Sequence, residues 1–72
     1  GIVLFKPQFE LPRTERELLE KGILHDTQRA QDLIREFEKS IATIGIHIAA
    51  REAAAIKGRK GNQEFVLHLV RD

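Results

Sequence analysis

The sequence predicts an α/β unit of the order strand, helix, strand, strand, with a mixed three-stranded sheet whose last strand runs antiparallel and lies between the other two. Three observations predict it. The chain opens on a continuous apolar run, Ile2-Val3-Leu4-Phe5. One long segment with helical periodicity follows, from Asp26 to about Thr43. Two β-rich stretches, Ile46-His47-Ile48 and Phe65-Val66-Leu67-His68-Leu69-Val70, flank a glycine-containing turn.

The first strand is of the kind buried on both faces of a parallel sheet. No initiating Met or turn precedes it, so it is expected to be an interior strand exposed by truncation. It stops at Lys6, because Pro7 has no amide hydrogen for a ladder and biases the residue before it away from helix. A loop is expected next. Pro12 and Thr14 then predict a short helix over Glu15 to Lys21, with Thr14 as N-cap and Gly22 as its stop. Asp26 is the expected N-cap of the main helix. There Ala30, Leu33, Ile34, Phe37, Ile41 and Ile44 recur at three- and four-residue steps, and Arg29, Asp32, Arg35, Glu36 and Lys39 populate the other side. That pattern describes a helix with one face on a sheet and a solvated charged face.

After Gly45 the alternation of Ile46-His47-Ile48 predicts a second strand. Ala50 to Ile56 is ambiguous, since its alanines favour helix and its neighbours strand. Lys57-Gly58-Arg59-Lys60-Gly61-Asn62 reads as a turn joining strands two and three as an antiparallel pair. A strand, covering helix and strand form a right-handed crossover with the two strands parallel. No repeat, linker or low-complexity tract divides residues 1–72, which read as one partial domain.

Composition narrows the function less than the pattern does. A domain of 72 residues leaves much of its surface exposed and has a thin stability margin. Without cysteine there is neither a disulfide framework nor a thiolate metal site, which suits a reducing, cytoplasmic location. Twelve basic and eleven acidic side chains nearly cancel, so any basic signal is local. The apolar runs fall far short of the roughly 20 residues a membrane helix needs, and no membrane partner is expected. His25, His47 and His68 lack a carboxylate cluster and further spaced ligands, which argues against a metal site; His68 reads as a packed strand residue.

The chemistry lies where strand ends meet. Carboxyl ends of parallel strands form the edge at which α/β folds bind ligands, and Lys6 stands there. An antiparallel third strand starts at the same edge, which brings Glu64 alongside. A lysine beside a carboxylate can hold an alcohol oxygen and assist its deprotonation. The plain alternative is an ion pair closing the sheet edge. The cations Lys57, Arg59 and Lys60, with Asn62, could meet an RNA backbone, or form an ordinary solvated turn; no aromatic residue stands near them for base stacking.

Lys6-Pro7-Gln8-Phe9-Glu10, Lys21-Gly22-Ile23-Leu24 with Asp26, Ile56-Lys57-Gly58, and Gly61-Asn62-Gln63-Glu64-Phe65-Val66-Leu67-His68-Leu69 together resemble the C-terminal part of hemolysin TlyA-type proteins, among the FtsJ-like ribosomal RNA methyltransferases. The resemblance covers nearly the whole chain. It implies the C-terminal portion of a Rossmann-like class I methyltransferase fold, and transfer of a methyl group from S-adenosylmethionine to a ribose 2′-hydroxyl by a Lys-Asp-Lys-Glu tetrad. Lys6 matches the second lysine of that tetrad and Glu64 its glutamate. The first lysine, the aspartate and the family's glycine-rich cofactor turn have no counterpart, so the isolated chain is expected to bind S-adenosylmethionine poorly and not to turn over. Leu19-Glu20-Lys21-Gly22 stands where relatives commonly carry Gly-Lys-Gly-Gly, and Ala54-Ala55 where they carry Ser-Pro, which puts the flanking loops in doubt. The acidic stretch Glu15 to Glu20 argues against RNA contact by its loop.

Two readings without catalysis stand beside this one. The first is a small RNA-binding module acting through the Lys57 to Lys60 turn. The second is a self-associating unit, because one helix covers one face of a three-stranded sheet and leaves the other bare.

Overall fold

The structure, a computed structural model, describes residues 1–54 and 61–72. Strand β1 (Ile2–Phe5) leads into a one-turn helix α1 (Pro7–Glu10), a 3-10 segment over Arg13–Leu18, and a small hairpin of β2 (Leu19–Glu20) and β3 (Ile23–Leu24). The long helix α2 (Thr27–Ala42) follows, then β4 (Ile46–Ala53) and β5 (Phe65–Arg71).

The main sheet has the order β1-β5-β4, with β5 antiparallel to both neighbours. Strands β1 and β4 therefore run the same way, separated by the reversed third strand of the sequence reading. Both pairings in this sheet are antiparallel. Ala49 is the extra residue of a bulge, where the β4–β5 register shifts between Ile48 and Ala50. Beyond it β4 continues to Ala53, so the ambiguous alanines up to that point are strand: cross-strand pairing outweighs their helix propensity.

Helix α2 starts where expected. The Asp26 carboxylate accepts a hydrogen bond from Arg29 N–H at 2.9 Å, satisfying one of the free amides of the first turn. Its apolar stripe buries Leu33, Ile34 and Ile41. Phe5, Leu11, Leu33, Ile34 and Leu67 form the core, and the Phe5 and Phe37 rings meet at 5.4 Å between centroids, tilted by 47°. Ile44 departs from the predicted stripe: it lies past the helix end, between the C-cap Thr43 and the positive-φ Gly45, and is exposed.

Two local predictions fail between β1 and α2. The residues after Lys6 form helix α1 rather than a loop, because Pro7 at the first helical position has a preset φ and no amide to satisfy. The helix predicted over Glu15 to Lys21 does not form, and Thr14 caps nothing. A 3-10 segment capped by Pro12 gives way to the β2–β3 hairpin, with Leu19 opposite Leu24 and Glu20 opposite Ile23. The turn is the pair Lys21 (φ 52°) and Gly22 (φ 82°). Two positive φ values in a two-residue connection match the twist of paired strands, so Gly22 marks a hairpin, not a helix stop.

Candidate functional site

Strand register sets the site. Phe5 pairs with Phe65 at the end of β1, and continuing that register by one residue brings Lys6 opposite Glu64 at one rim of the sheet. Each is held by its backbone. Lys6 is extended and its carbonyl accepts from Phe9 N–H at 3.0 Å, which joins strand to helix α1. The Glu64 carbonyl accepts from Ala54 N–H at 2.8 Å and from Gln63 Nε2 at 2.9 Å, tying the start of β5 to the end of β4.

Both residues line one open cleft of about 580 Å³, with Gln8, Phe9, Arg16, Leu19, Gly22 and Asn62. The two do not form an ion pair with each other. The Lys6 ammonium stands 5.7 Å from the ring centre of Phe9, within the range at which a cation is attracted to an aromatic face. The Glu64 carboxylate accepts a hydrogen bond from Gln8 Nε2 at 3.2 Å. Glu64 is 7% exposed, Gln8 4% and Asn62 4%. These are the buried polar residues among the described ones, and all three line this cleft. Burying polar side chains is costly unless they are partnered, so their concentration at one rim marks it as the chemically distinctive part of the molecule.

Asn62, read from the sequence as an RNA contact, has its amide engaged elsewhere. Its Oδ1 accepts from Leu24 N–H at 2.9 Å and its Nδ2 donates to the Gly22 carbonyl at 2.8 Å, so it clips the β2–β3 hairpin to the start of β5. The other three predicted RNA contacts, Lys57, Arg59 and Lys60, lie outside the described residues.

The far wall is anchored by Arg29. Its Nε and Nη2 donate to the two Glu15 oxygens at 2.7 and 2.9 Å, and its Nη1 to Glu36 at 2.7 Å. Hydrogen bonds first from Glu15 and then from Glu36 hold its guanidinium protonated well above the ordinary value. This fork fastens the 3-10 segment carrying Arg16 to α2. The acidic stretch thus includes an anchor, and Arg16, absent from the sequence reading, reaches the cleft.

Gln8 and Phe9 were also missed as site residues, although both sit in the block Lys6-Pro7-Gln8-Phe9-Glu10. Their signal was adjacency to Lys6, which carries weight only once residues 7–10 are known to be one helical turn. His68 is a strand residue as expected, but it faces outward, with Nε2 3.1 Å from a Glu52 oxygen. His47 contacts Asp72. Among the described residues no group of three or more His, Asp or Glu is placed to hold a metal, and no helix is long and apolar enough to cross a membrane.

The chain is homologous to part of 23S rRNA (cytidine-2′-O)-methyltransferase TlyA of Campylobacter jejuni subsp. jejuni, with 32% identity over 71 residues, covering 99% of this chain and 28% of that protein. A solved "putative hemolysin" from Lactococcus lactis matches 99% of the chain and 33% of its own, at 35% identity and a TM-score of 0.85. Another from Streptococcus thermophilus matches 97% of the chain and 24% of its own, at 27% identity and a TM-score of 0.83. No family model matches. The resemblance to TlyA-type proteins is thus borne out. The chain spans about a quarter to a third of the length of each of these relatives.

Proposed function

We propose that the chain is the C-terminal part of an S-adenosylmethionine-dependent ribosomal RNA 2′-O-methyltransferase, in which Lys6 and Glu64 handle the ribose hydroxyl that receives the methyl group. The observation that carries this reading is the lining of one cleft by an ammonium and a buried carboxylate that are not paired with each other. An ion pair closing the sheet edge would leave neither group free; here both remain available to a third polar group. In this reading the substrate hydroxyl is held by both. Glu64 accepts its hydrogen bond and orients it, and Lys6 stabilises the negative charge that develops on the oxygen as it becomes nucleophilic. The name of the Campylobacter relative supports 2′-O chemistry on ribosomal RNA, and such a substrate supports a cytoplasmic location.

The described residues do not fit the cofactor themselves. A dinucleotide-like cradle in α/β folds needs a glycine-rich strand-to-helix turn, and β1 passes into α1 through Lys6-Pro7, with no glycine. Gly22 lies in a hairpin turn and Gly45 after α2. The reading therefore assigns S-adenosylmethionine to parts of the longer protein outside these 72 residues, and the isolated chain is expected to be inactive. The RNA-facing role of Lys57, Arg59 and Lys60 remains part of this proposal.

The test is methyl transfer to 23S rRNA by the longer protein that contains this segment. Lys6→Ala and Glu64→Ala are each expected to abolish turnover while the melting temperature is kept. Undiminished transfer by Lys6→Ala overturns the assignment.

A further inference from the structure

Gln8 is buried, yet its side chain is only half accounted for. Its Nε2 donates to the Glu64 carboxylate at 3.2 Å, whereas its Oε1 is buried with no hydrogen-bond partner among the described residues. An orphaned buried acceptor is unfavourable, so a glutamine serving only to fill space here would be inferior to an apolar residue of the same shape. Exchanging the amide's two ends gives no relief, because it would set a carbonyl oxygen against a carboxylate oxygen. The donor end must face Glu64. Asn62, the other buried amide of the cleft, differs: both its ends are engaged by hairpin backbone, and its structural role is complete.

Position adds to this. Gln8 follows Lys6 by two residues on the one-turn helix that Pro7 starts, and Pro7 is fully buried. One short block thus carries Lys6 and reaches across 56 positions of sequence to hold the carboxylate opposite. The contact engages Glu64 Oε2, which leaves Oε1 for another donor.

We propose that Gln8 is a positioning residue, whose amide donor fixes the orientation of the Glu64 carboxylate at the cleft so that its second oxygen is presented to the substrate hydroxyl. The inference rests on the hydroxyl-handling role given to Glu64 above. A carboxylate without this contact can rotate among orientations, and groups preorganised for a developing charge lose effect when they must be ordered during the reaction. The cost falls on turnover and not on RNA binding.

Two variants in the longer protein test it, with Glu64→Ala alongside. Gln8→Met keeps the shape and removes both the donor and the orphaned acceptor. Gln8→Glu keeps the shape and sets a second carboxylate against the first. For Gln8→Met a fall in kcat of about ten- to hundredfold is expected from loss of a hydrogen bond to a charged group, with KM for RNA changed by less than about twofold and melting temperature unchanged. Gln8→Glu is expected to fall further at neutral pH, since like charges then share the site. Gln8→Met turning over within about twofold of the unaltered protein while Glu64→Ala is inactive overturns this inference and leaves the hydroxyl reading intact. A loss of turnover that follows the loss of thermal stability also overturns it. Full activity of Glu64→Ala overturns both.

Discussion

Replacing Asn62 with Ala removes the clip between the start of β5 and the β2–β3 hairpin. Two hydrogen bonds are lost, from Leu24 N–H at 2.9 Å and to the Gly22 carbonyl at 2.8 Å, both spanning about forty residues of sequence. Removing one partner of a buried hydrogen bond costs about 1–3 kcal/mol for each group left unsatisfied. The two backbone groups lie in half-buried residues, which water can partly reach once the side chain is gone, so the lower end applies to each. The sum is about 2 kcal/mol. In a domain of this size about 1 kcal/mol moves the melting temperature by roughly 4–8 °C, giving an expected fall of roughly 8–16 °C. Urea denaturation followed by circular dichroism gives the free energy, and amide hydrogen exchange locates it: Leu24 N–H is expected to exchange faster in the variant. Asn62→Asp keeps the acceptor for Leu24 but sets a buried carboxylate oxygen against the Gly22 carbonyl, and is expected to cost at least as much as Asn62→Ala. A change within about 0.5 kcal/mol, the range of ordinary surface substitutions, refutes the reasoning and returns Asn62 to the surface role that the sequence suggested.

Leu67→Ala, at the centre of the middle strand with its side chain fully buried, is expected to cost about 2–5 kcal/mol, enough to unfold much of a chain this small; equilibrium denaturation reads it. Asp32 is held below its ordinary value of 3.8 by hydrogen bonds from Arg35 and then Gln28. A depressed folded value stabilises the fold above the unfolded value and stops doing so as pH falls through the folded one. Asp32→Asn is therefore expected to lower the neutral part of the stability–pH curve slightly and to flatten its acid limb below about pH 4, so that the two proteins converge at low pH. On the sheet face away from α2, Ile2, Leu4 and Val70 are exposed. Sedimentation of the isolated chain is expected to show association that rises with concentration, and a monomer at high concentration contradicts this.

The frame of the fold was legible in the sequence because its signals are periodic. The stripe from Ala30 to Ile41 announced α2, and Asp26 announced its start. The apolar run after Glu64, reversed against β1, placed Lys6 and Glu64 at one rim. What was not legible depends on short-range choices that many sequences make either way. Lys21-Gly22 serves as a helix stop or as a hairpin turn, and the choice falls to the hairpin because Asn62, some forty residues later, accepts from Leu24 N–H in β3 and donates to the Gly22 carbonyl in the turn. Pro7 signals the end of a strand or the first residue of a helix, and both hold here. The burial of Gln8 and the anchoring of Glu15 by Arg29 arise from tertiary contacts alone, which no local pattern records.

The most direct test of the hydroxyl-handling pair is nucleoside mass spectrometry of 23S rRNA methylated by the longer protein with and without Lys6→Ala. A 2′-O-methylated nucleoside is expected from the unaltered protein and none from the variant. A methyl group on a base, or a 2′-O-methyl product that persists without the Lys6 ammonium, contradicts it.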